Sequence, residues 1–235
     1  MILAANLKTN LTRSATSAYL ESLQSFVQTH GVTQKVIVFP ATSSLLPSKE
    51  QVIVGAQNAY PAKNGAFTGE IGLEQLEEFA VKTILIGHSE RRHVLGETQE
   101  ELVRKFNFFK EQGFEIVYCI GEPLEIREAG EDAMMQYIDA QYKGIDTTYE
   151  KLIIAYEPVW AIGTGKTPTL EDITSLHAKL KSKSKAPLLY GGSVNMKNYK
   201  DILPLPNVDG VLVGGAALNV DDFAQFTLFA QTINK

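Results

Sequence analysis

The sequence is short of the residues that mark several classes of protein. It has a single cysteine, Cys119, so it cannot form an internal disulfide, and a reducing, cytoplasmic compartment is expected. It has no apolar run long enough to span a bilayer, and residues 1–5 lack the basic leader of a signal peptide. Its 22 basic residues are outnumbered by 27 acidic ones, and the net charge of −5 disfavours nucleic acid or an anionic membrane as a partner. Any anionic ligand must therefore be held by local positive groups.

Short apolar runs alternate with helical patterns along the whole chain. Eight such runs, the first at 2–6 and the last at 210–213, are predicted to be strands buried on both faces. The helices after the second and seventh strands look reduced, and Asn195 is expected to start the latter. Eight strand–helix units in 235 residues predict an α/β fold, a closed (β/α)8 barrel forming a single domain over residues 1–235.

Polar residues and glycines follow the predicted strands at the points where the strands end. In a barrel the carboxyl ends of all strands meet at one rim, where enzymes of this fold carry their chemistry. The residues expected to converge there are Asn6, Lys8, His88, Glu157, Ser193, Gly214 and Gly215.

Residues 155–167 combine a carboxylate with a glycine-rich loop. Glu157 follows an apolar strand, and Gly163 begins the loop. A P-loop would need a glycine at Trp160, and a dinucleotide fingerprint would need one at Pro168, so both nucleotide motifs fail. Two interpretations stay open, namely a base beside an anion-binding lid and an ordinary strand-to-helix loop.

The three residues His88, Glu90 and His93 raise the question of a metal site. In a helix the two histidines would project about 140° apart around the axis, and Arg91 and Arg92 would repel a cation, so a metal site is disfavoured. A histidine at a helix N-terminus is kept neutral by the helix dipole, which makes His88 a candidate hydrogen-bond donor. A plain capping role is the alternative.

Paired glycines at 191–192 and 214–215 lie between strand and helix in the last two units. They are either tight turns or a cradle for a phosphate, which this fold binds at that place. A carboxylate, a neutral histidine, a lysine and such a cradle suit proton abstraction beside the carbonyl of a phosphorylated sugar. Neither a cofactor nor a metal is expected.

Seven motifs resemble the triosephosphate isomerase family, in that family's order and nearly from end to end. They are Asn6-x-Lys8, GAFTGE at 65–70, GHSERR at 87–92, CIGE at 119–122, the stretch 155–167, YGGSV at 190–194 and GVLVGG at 210–215. The resemblance implies a TIM barrel that interconverts dihydroxyacetone phosphate and D-glyceraldehyde 3-phosphate through an enediol(ate), in glycolysis and gluconeogenesis, without cofactor or metal.

The resemblance also implies the roles of individual residues. Glu157 would be the base, His88 would move protons between the substrate oxygens, and Lys8 would support the developing charge beside Asn6. Backbone contacts to the phosphate would come from Gly163, Ser193, Gly214 and Gly215. Glu90 and Cys119 match positions next to the site.

The family pattern further implies a lid and a homodimer. The lid would be hinged at 158–160 and 166–168. The loop that begins at Asn58 and ends at Glu70 would reach the partner's site, with Thr68 nearest to it. Leu7 replaces a tryptophan common in the family, and Pro168 stands at a hinge.

Two other hypotheses are compatible with the residues alone. An aldolase acting through a Schiff base would need Lys8, or another lysine, in an apolar pocket. A non-catalytic binding module would keep the fold without activity, although every matching catalytic position is present. Isomerisation of a triose phosphate is the interpretation that the motifs favour.

Overall fold

The computed structural model describes residues 1–162 and 168–233. Within those ranges parallel strands alternate with helices. The strands are β1 (Ile2–Asn6), β2 (Lys35–Phe39), β3 (Val52–Val54), β4 (Thr83–Ile86), β5 (Glu115–Ile120), β6 (Leu152–Tyr156), β7 (Leu188–Tyr190) and β8 (Gly210–Val213). Each is a short run of apolar residues in which most side chains are buried, as expected of strands covered on both faces.

The helices follow the strands in the predicted alternation. They are α1 (Arg13–Thr29), α2 (Leu73–Glu77), α3 (Ser89–His93), α4 (Gln99–Glu111), α5 (Leu124–Glu128), α6 (Glu131–Tyr142), α7 (Leu170–Lys183), α8 (Tyr199–Ile202) and α9 (Val220–Gln231). Capping boxes start two of the longer ones, Thr98 with Glu101 at α4 and Thr169 with Asp172 at α7. None of the helices in the described ranges is long and apolar enough to cross a membrane.

The strands form one eight-stranded parallel sheet that curls into a nearly closed barrel. Their order is β3-β2-β1-β8-β7-β6-β5-β4, so the sheet runs around from β3 to β4. An isolated parallel bridge between Ala56 and Ile84 joins the two ends. There the Ala56 N–H donates to Thr83 O at 2.9 Å, and Leu85 N–H donates to Ala56 O at 2.8 Å. The predicted α/β barrel is therefore confirmed.

Two apolar layers hold the barrel together. Side chains that point inward, such as Ile37, Phe39, Val117 and Leu212, fill its interior. The other face of each strand packs against the helices in a larger core. Because neighbouring side chains on a strand point to opposite faces, each strand supplies both layers.

The connection after β7 differs from the prediction. Asn195 starts a hydrogen-bonded turn: its Oδ1 accepts from the Lys197 N–H at 2.9 Å, its own N–H donates to Asn198 Oδ1 at 2.8 Å, and the Tyr199 N–H donates to Asn195 O at 3.1 Å. These are the bonds of a helix N-terminus, but the regular α-helix α8 begins only at Tyr199. The expectation of reduced helices is confirmed: α8 has four residues, and β2 is followed by a single 3-10 turn at Thr42–Ser44.

Candidate active site

The carboxyl ends of the strands surround a cavity of about 310 Å3. Its lining includes all the predicted site residues that the structure describes, namely Asn6, Lys8, His88, Glu157, Ser193, Gly214 and Gly215. They come from β1, β4, β6, β7 and β8 or from the residues that follow these strands, so the barrel brings together groups up to about 200 positions apart. Gly163 and most of the predicted lid, residues 163–167, lie outside the described ranges.

Glu157 is a buried carboxylate at the end of β6. Its side chain is about 3% exposed, and its main-chain N–H donates to Ile120 O at 2.7 Å. One carboxylate oxygen accepts from the Ser89 N–H at 2.8 Å, and the other lies 3.1 Å from His88 Nε2. Two donors from the turn after β4 therefore hold a charged group that burial would otherwise destabilise.

His88 lies between the end of β4 and the short helix α3. Gly87, with a φ of +77°, turns the chain so that the histidine faces the cavity. The Glu90 N–H donates to His88 Nδ1 at 3.3 Å, which assigns the ring proton to Nε2, the nitrogen beside Glu157. The ring in this tautomer is neutral and presents one N–H donor to the cavity.

Lys8 occupies a left-handed backbone conformation, with a φ of +53°. For a residue other than glycine this conformation costs on the order of 1 kcal/mol. Neighbouring amides hold it: the Lys8 N–H donates to Asn6 Oδ1 at 3.1 Å, and Gln57 Nε2 donates to Lys8 O at 2.8 Å and to Phe39 O at 2.9 Å. The ammonium lies 2.6 Å from a Glu90 carboxylate oxygen. It is therefore salt-bridged, not enclosed in the apolar pocket that Schiff-base chemistry requires.

The glycines after β7 and β8 let the backbone come close to the other site residues. A Cβ at Gly191 would lie 2.9 Å from Glu157 Cγ, and one at Gly214 would lie 3.4 Å from Lys8 Cε. At Gly215, where a 3-10 turn begins, a Cβ would meet nothing within 4 Å. Backbone at 214–215 is thus next to the lysine and faces open space, as a phosphate cradle requires.

Glu122 and Cys119 are buried beside the site. Burial raises the pKa of Glu122, although hydrogen bonds from Trp160 Nε1 at 3.1 Å and the Tyr156 hydroxyl at 3.0 Å oppose the shift. Burial, together with the charge of Glu157, raises the pKa of the Cys119 thiol well above its usual value. The thiol is therefore protonated at neutral pH and is not a nucleophile.

Sequence reasoning missed three residues that shape the site. The side chain of Gln57 fixes the Lys8 turn, the main-chain N–H of Ser89 holds Glu157, and Glu122 binds Trp160. The available signal was position: Gln57 ends the run predicted as the third strand, and Ser89 and Glu122 lie in the motifs GHSERR and CIGE. The contacts themselves are made with residues between 38 and 68 positions away and leave no local pattern.

Comparison with known proteins covers almost the whole chain. A family model described as triosephosphate isomerase matches residues 1–230. The triosephosphate isomerase of Sulfurimonas denitrificans is 65% identical over 235 residues, which is all of this chain and 98% of that protein. Those of a Sulfurovum species and of Wolinella succinogenes are 57% and 53% identical, each over 96% of this chain and 98% of the relative. The chain therefore belongs to the triosephosphate isomerase family, whose members are isomerases of triose phosphates.

Proposed function

We propose that this enzyme interconverts dihydroxyacetone phosphate and D-glyceraldehyde 3-phosphate with Glu157 as the base and His88 as the hydrogen-bond donor to the substrate oxygens. The observation that carries the assignment is their pairing. A buried carboxylate and an N–H of a neutral imidazole lie 3.1 Å apart on the wall of one cavity. This pair can take a proton from carbon on one side and stabilise the resulting enediolate oxygen on the other.

Both oxygens of Glu157 have protein partners in this structure, Ser89 and His88. A substrate carbon placed between Glu157 and His88 therefore replaces the contact between them. The carboxylate then faces the substrate carbon, while His88 Nε2–H is freed for the substrate oxygen. Lys8 supplies the positive charge on the same wall, and its bond to Glu90 fixes the ammonium there.

The phosphate is proposed to bind at Ser193, Gly214 and Gly215, with Gly163 contributing from the lid. Binding the phosphate away from the reacting carbons supplies energy that orients the substrate. The proposed lid protects the enediolate from water. Its first flank is the 3-10 turn Val159–Ala161, which Glu122 ties to the end of β5 through Trp160. Trp160 is the single tryptophan of the chain, so its fluorescence reports whether this flank moves when inorganic phosphate or substrate is added.

The assignment of the base is tested by measuring isomerisation of dihydroxyacetone phosphate for wild type, Glu157→Gln and Glu111→Gln. The Glu157→Gln variant keeps the shape of the side chain but removes its basicity. We expect kcat to fall by about 10²–10⁴, the range that general-base catalysis contributes. Glu111 is exposed at the end of α4, so its variant should keep the wild-type rate. A Glu157→Gln enzyme that turns over normally would refute the assignment.

We also propose that the enzyme is a homodimer formed through the loop of residues 58–70. Beside the catalytic cavity lies a groove of about 1110 Å3, lined by residues that follow the first four strands, including Lys8, Leu11, Asn58, Glu70 and Leu95. Exposed apolar side chains lie near it, with Val94 at 76% and Leu95 at 63% exposure. A second copy of the loop, inserted into this groove, would cover them and reach the site edge.

The loop has the internal order that such an insertion requires. The Phe67 ring packs against the Tyr60 ring in a tilted arrangement with centroids 4.1 Å apart, and the Tyr60 N–H donates to Ile71 O at 2.8 Å. At the loop base Lys105 Nζ donates to Asn58 Oδ1 at 2.7 Å. A loop already ordered in the free chain loses little conformational entropy on docking.

Sedimentation and light scattering test this proposal. Wild type should have twice the mass of the 25.9 kDa chain, and Thr68→Arg should be monomeric with reduced activity because Thr68 is placed at the partner's site. Thr33→Arg, an exposed threonine before β2, is the matched control and should stay dimeric. A fully active wild-type monomer would contradict the proposal.

A cytoplasmic location completes the proposal. Cys119 is a buried free thiol, which is compatible with a reducing compartment. Fractionation of the producing cells would test it directly.

A further inference from the structure

Arg92 lies beside the proposed catalytic pair and binds the main chain near the carboxyl ends of β4 and β5. Its Nε donates to Gly87 O at 2.8 Å, directly before His88, and its Nη2 donates to Cys119 O at 3.1 Å near the end of β5. A Cβ on Gly87 would lie 2.8 Å from Arg92 Nη2, so the guanidinium fills the space that the glycine leaves. The arginine therefore fixes the turn that aims the histidine.

The hydroxyl of Tyr118 holds this guanidinium in place. Tyr118 is fully buried on β5; its hydroxyl accepts from Arg92 Nη2 at 2.9 Å and donates to Gln141 O at 2.7 Å. Gln99 completes the arrangement, since its Oε1 accepts from Arg92 Nη1 at 2.9 Å and its Nε2 donates to Gln141 O at 2.8 Å. We call Arg92, Gln99, Tyr118 and Gln141 the arginine cluster.

The arginine cluster also reaches the backbone of Glu157. The Gln141 side chain forms a pair of bonds with Gly121, donating to its carbonyl at 2.9 Å and accepting from its N–H at 2.8 Å. Gly121 packs so tightly on Glu157 that a Cβ there would lie 1.7 Å from Glu157 O. One partly buried network thus contacts the chain next to His88 and the chain against Glu157.

We propose that the arginine cluster positions the catalytic pair, with Arg92 and Tyr118 as positioning residues that fix the separation between His88 and Glu157. The inference rests on the proposed roles of these two side chains. A change of about 1 Å between reacting groups lowers the rate of a positioned reaction much more than it lowers substrate affinity. Loss of the Tyr118 hydroxyl should therefore lower kcat and leave KM nearly unchanged.

The chain offers a matched control for this hydroxyl. Tyr149 also packs edge-on against Phe106, with centroids 6.3 Å apart compared with 6.0 Å for Tyr118. Its hydroxyl also donates to a main-chain carbonyl at 2.7 Å, that of Phe114, but at the amino end of the barrel. Tyr149→Phe therefore removes an equivalent bond far from the catalytic pair.

The experiment measures kcat, KM and the unfolding midpoint of Tyr118→Phe and Tyr149→Phe. We expect kcat to fall about tenfold in Tyr118→Phe only, with KM within twofold of wild type, since a bond to a charged group is lost. Both variants should unfold more easily. Equal kcat values in the two variants, whether normal or reduced, would overturn the proposal.

A double variant separates positioning from general loosening of the fold. If Tyr118 acts through the pair, adding Tyr118→Phe to Glu157→Gln should lower kcat by less than twofold, because the base is already absent. A full tenfold fall in that background would overturn the proposal. Normal turnover by Glu157→Gln alone would instead refute the base assignment, so the two failures are told apart by different variants.

Discussion

The two ends of the barrel are made by the same eight strands. They differ in the burial of their charged and polar side chains and in the origin of their left-handed backbone conformations. At the carboxyl end Glu157, His88 and Asn6 are buried, and Lys8 and Leu11 have left-handed backbones with φ of +53° and +64°. At the amino end charged groups are paired at or near the surface. Examples are the ion pairs of Lys35 with Glu115, Lys110 with Asp146 at 2.6 Å, and Lys181 with Asp209 at 2.5 Å.

Three left-handed residues at the amino end have a simpler origin. Gly31, Ala80 and Gly113 lie at or just beyond the ends of helices, where a left-handed residue commonly terminates the helix. Lys8 and Leu11, by contrast, belong to the loop after β1 and are held by longer-range contacts such as those of Gln57. The comparison indicates that strain at the carboxyl end orients functional groups, whereas the amino end serves stability.

Variants of two lysines, one at each end of the barrel, test this comparison directly. Lys8 and Lys35 each pair with one glutamate, Glu90 at the carboxyl end and Glu115 at the amino end. Lys8→Met should lower kcat/KM by about 10²–10³, as expected when a preorganised charge is removed. Lys35→Met should keep the rate and lower the free energy of unfolding by about 1 kcal/mol, because the pair is partly exposed.

Steady-state kinetics and urea denaturation of the two variants give the answer. An Lys35→Met enzyme that loses activity in proportion to Lys8→Met would show that the two ends are not functionally separate. Retained activity in Lys8→Met would remove the lysine from the proposed site.

The pH dependence of the free energy of unfolding extends the comparison to two acidic residues, Glu97 and Asp146. Burial opposes ionisation of Glu97, but hydrogen bonds and charges from Lys105 and Arg91 outweigh it, so its pKa is lowered. Burial also lowers the pKa of Lys105 despite Glu97, so desolvation of the lysine exceeds their attraction. The ionised Glu97 binds two cations, so its contribution to stability depends on its ionisation. This contribution is fully present above the pKa that Glu97 has in the unfolded chain. It is lost as the pH falls through the lower pKa that Glu97 has in the folded protein.

Glu97→Gln should lower the free energy of unfolding by about 3 kcal/mol at pH 7, since it leaves Lys105 buried without its anion. The difference from wild type should shrink as pH falls below about 4, the usual carboxyl range. Asp146 has its pKa lowered to about 2, chiefly by its bond to Lys110, but its side chain is partly exposed at the surface. Asp146→Asn should therefore change stability little at any pH. Urea titrations between pH 3 and 7 measure both, and a constant difference for Glu97→Gln would contradict the pKa argument.

The sequence predicted the carboxyl end better than its supporting contacts. Short apolar runs identified the strands, and parallel strands necessarily bring Lys8, His88 and Glu157 to one rim. The sequence did not reveal the contacts that hold these residues in place, because the contacts of Arg92 and Gln57 depend on the register and spacing of separate strands. The start of α8 was predicted less well, since Asn195 caps a turn and the regular helix begins only at Tyr199. Sequence patterns therefore locate a site more readily than they explain its geometry.

The smallest expected effect concerns Ala80, which has a φ of +53° beyond the end of α2. Glycine adopts this conformation without steric cost, but it is more flexible in the unfolded chain, so Ala80→Gly should stabilise the fold by about 0.5 kcal/mol. Gly31→Ala is the reverse control, since a Cβ there meets nothing within 4 Å and only the φ of +59° opposes it. It should destabilise by about 1 kcal/mol, and both variants should keep kcat. A change in kcat in either, measured beside thermal unfolding, would show that strain at the amino end also reaches the catalytic pair.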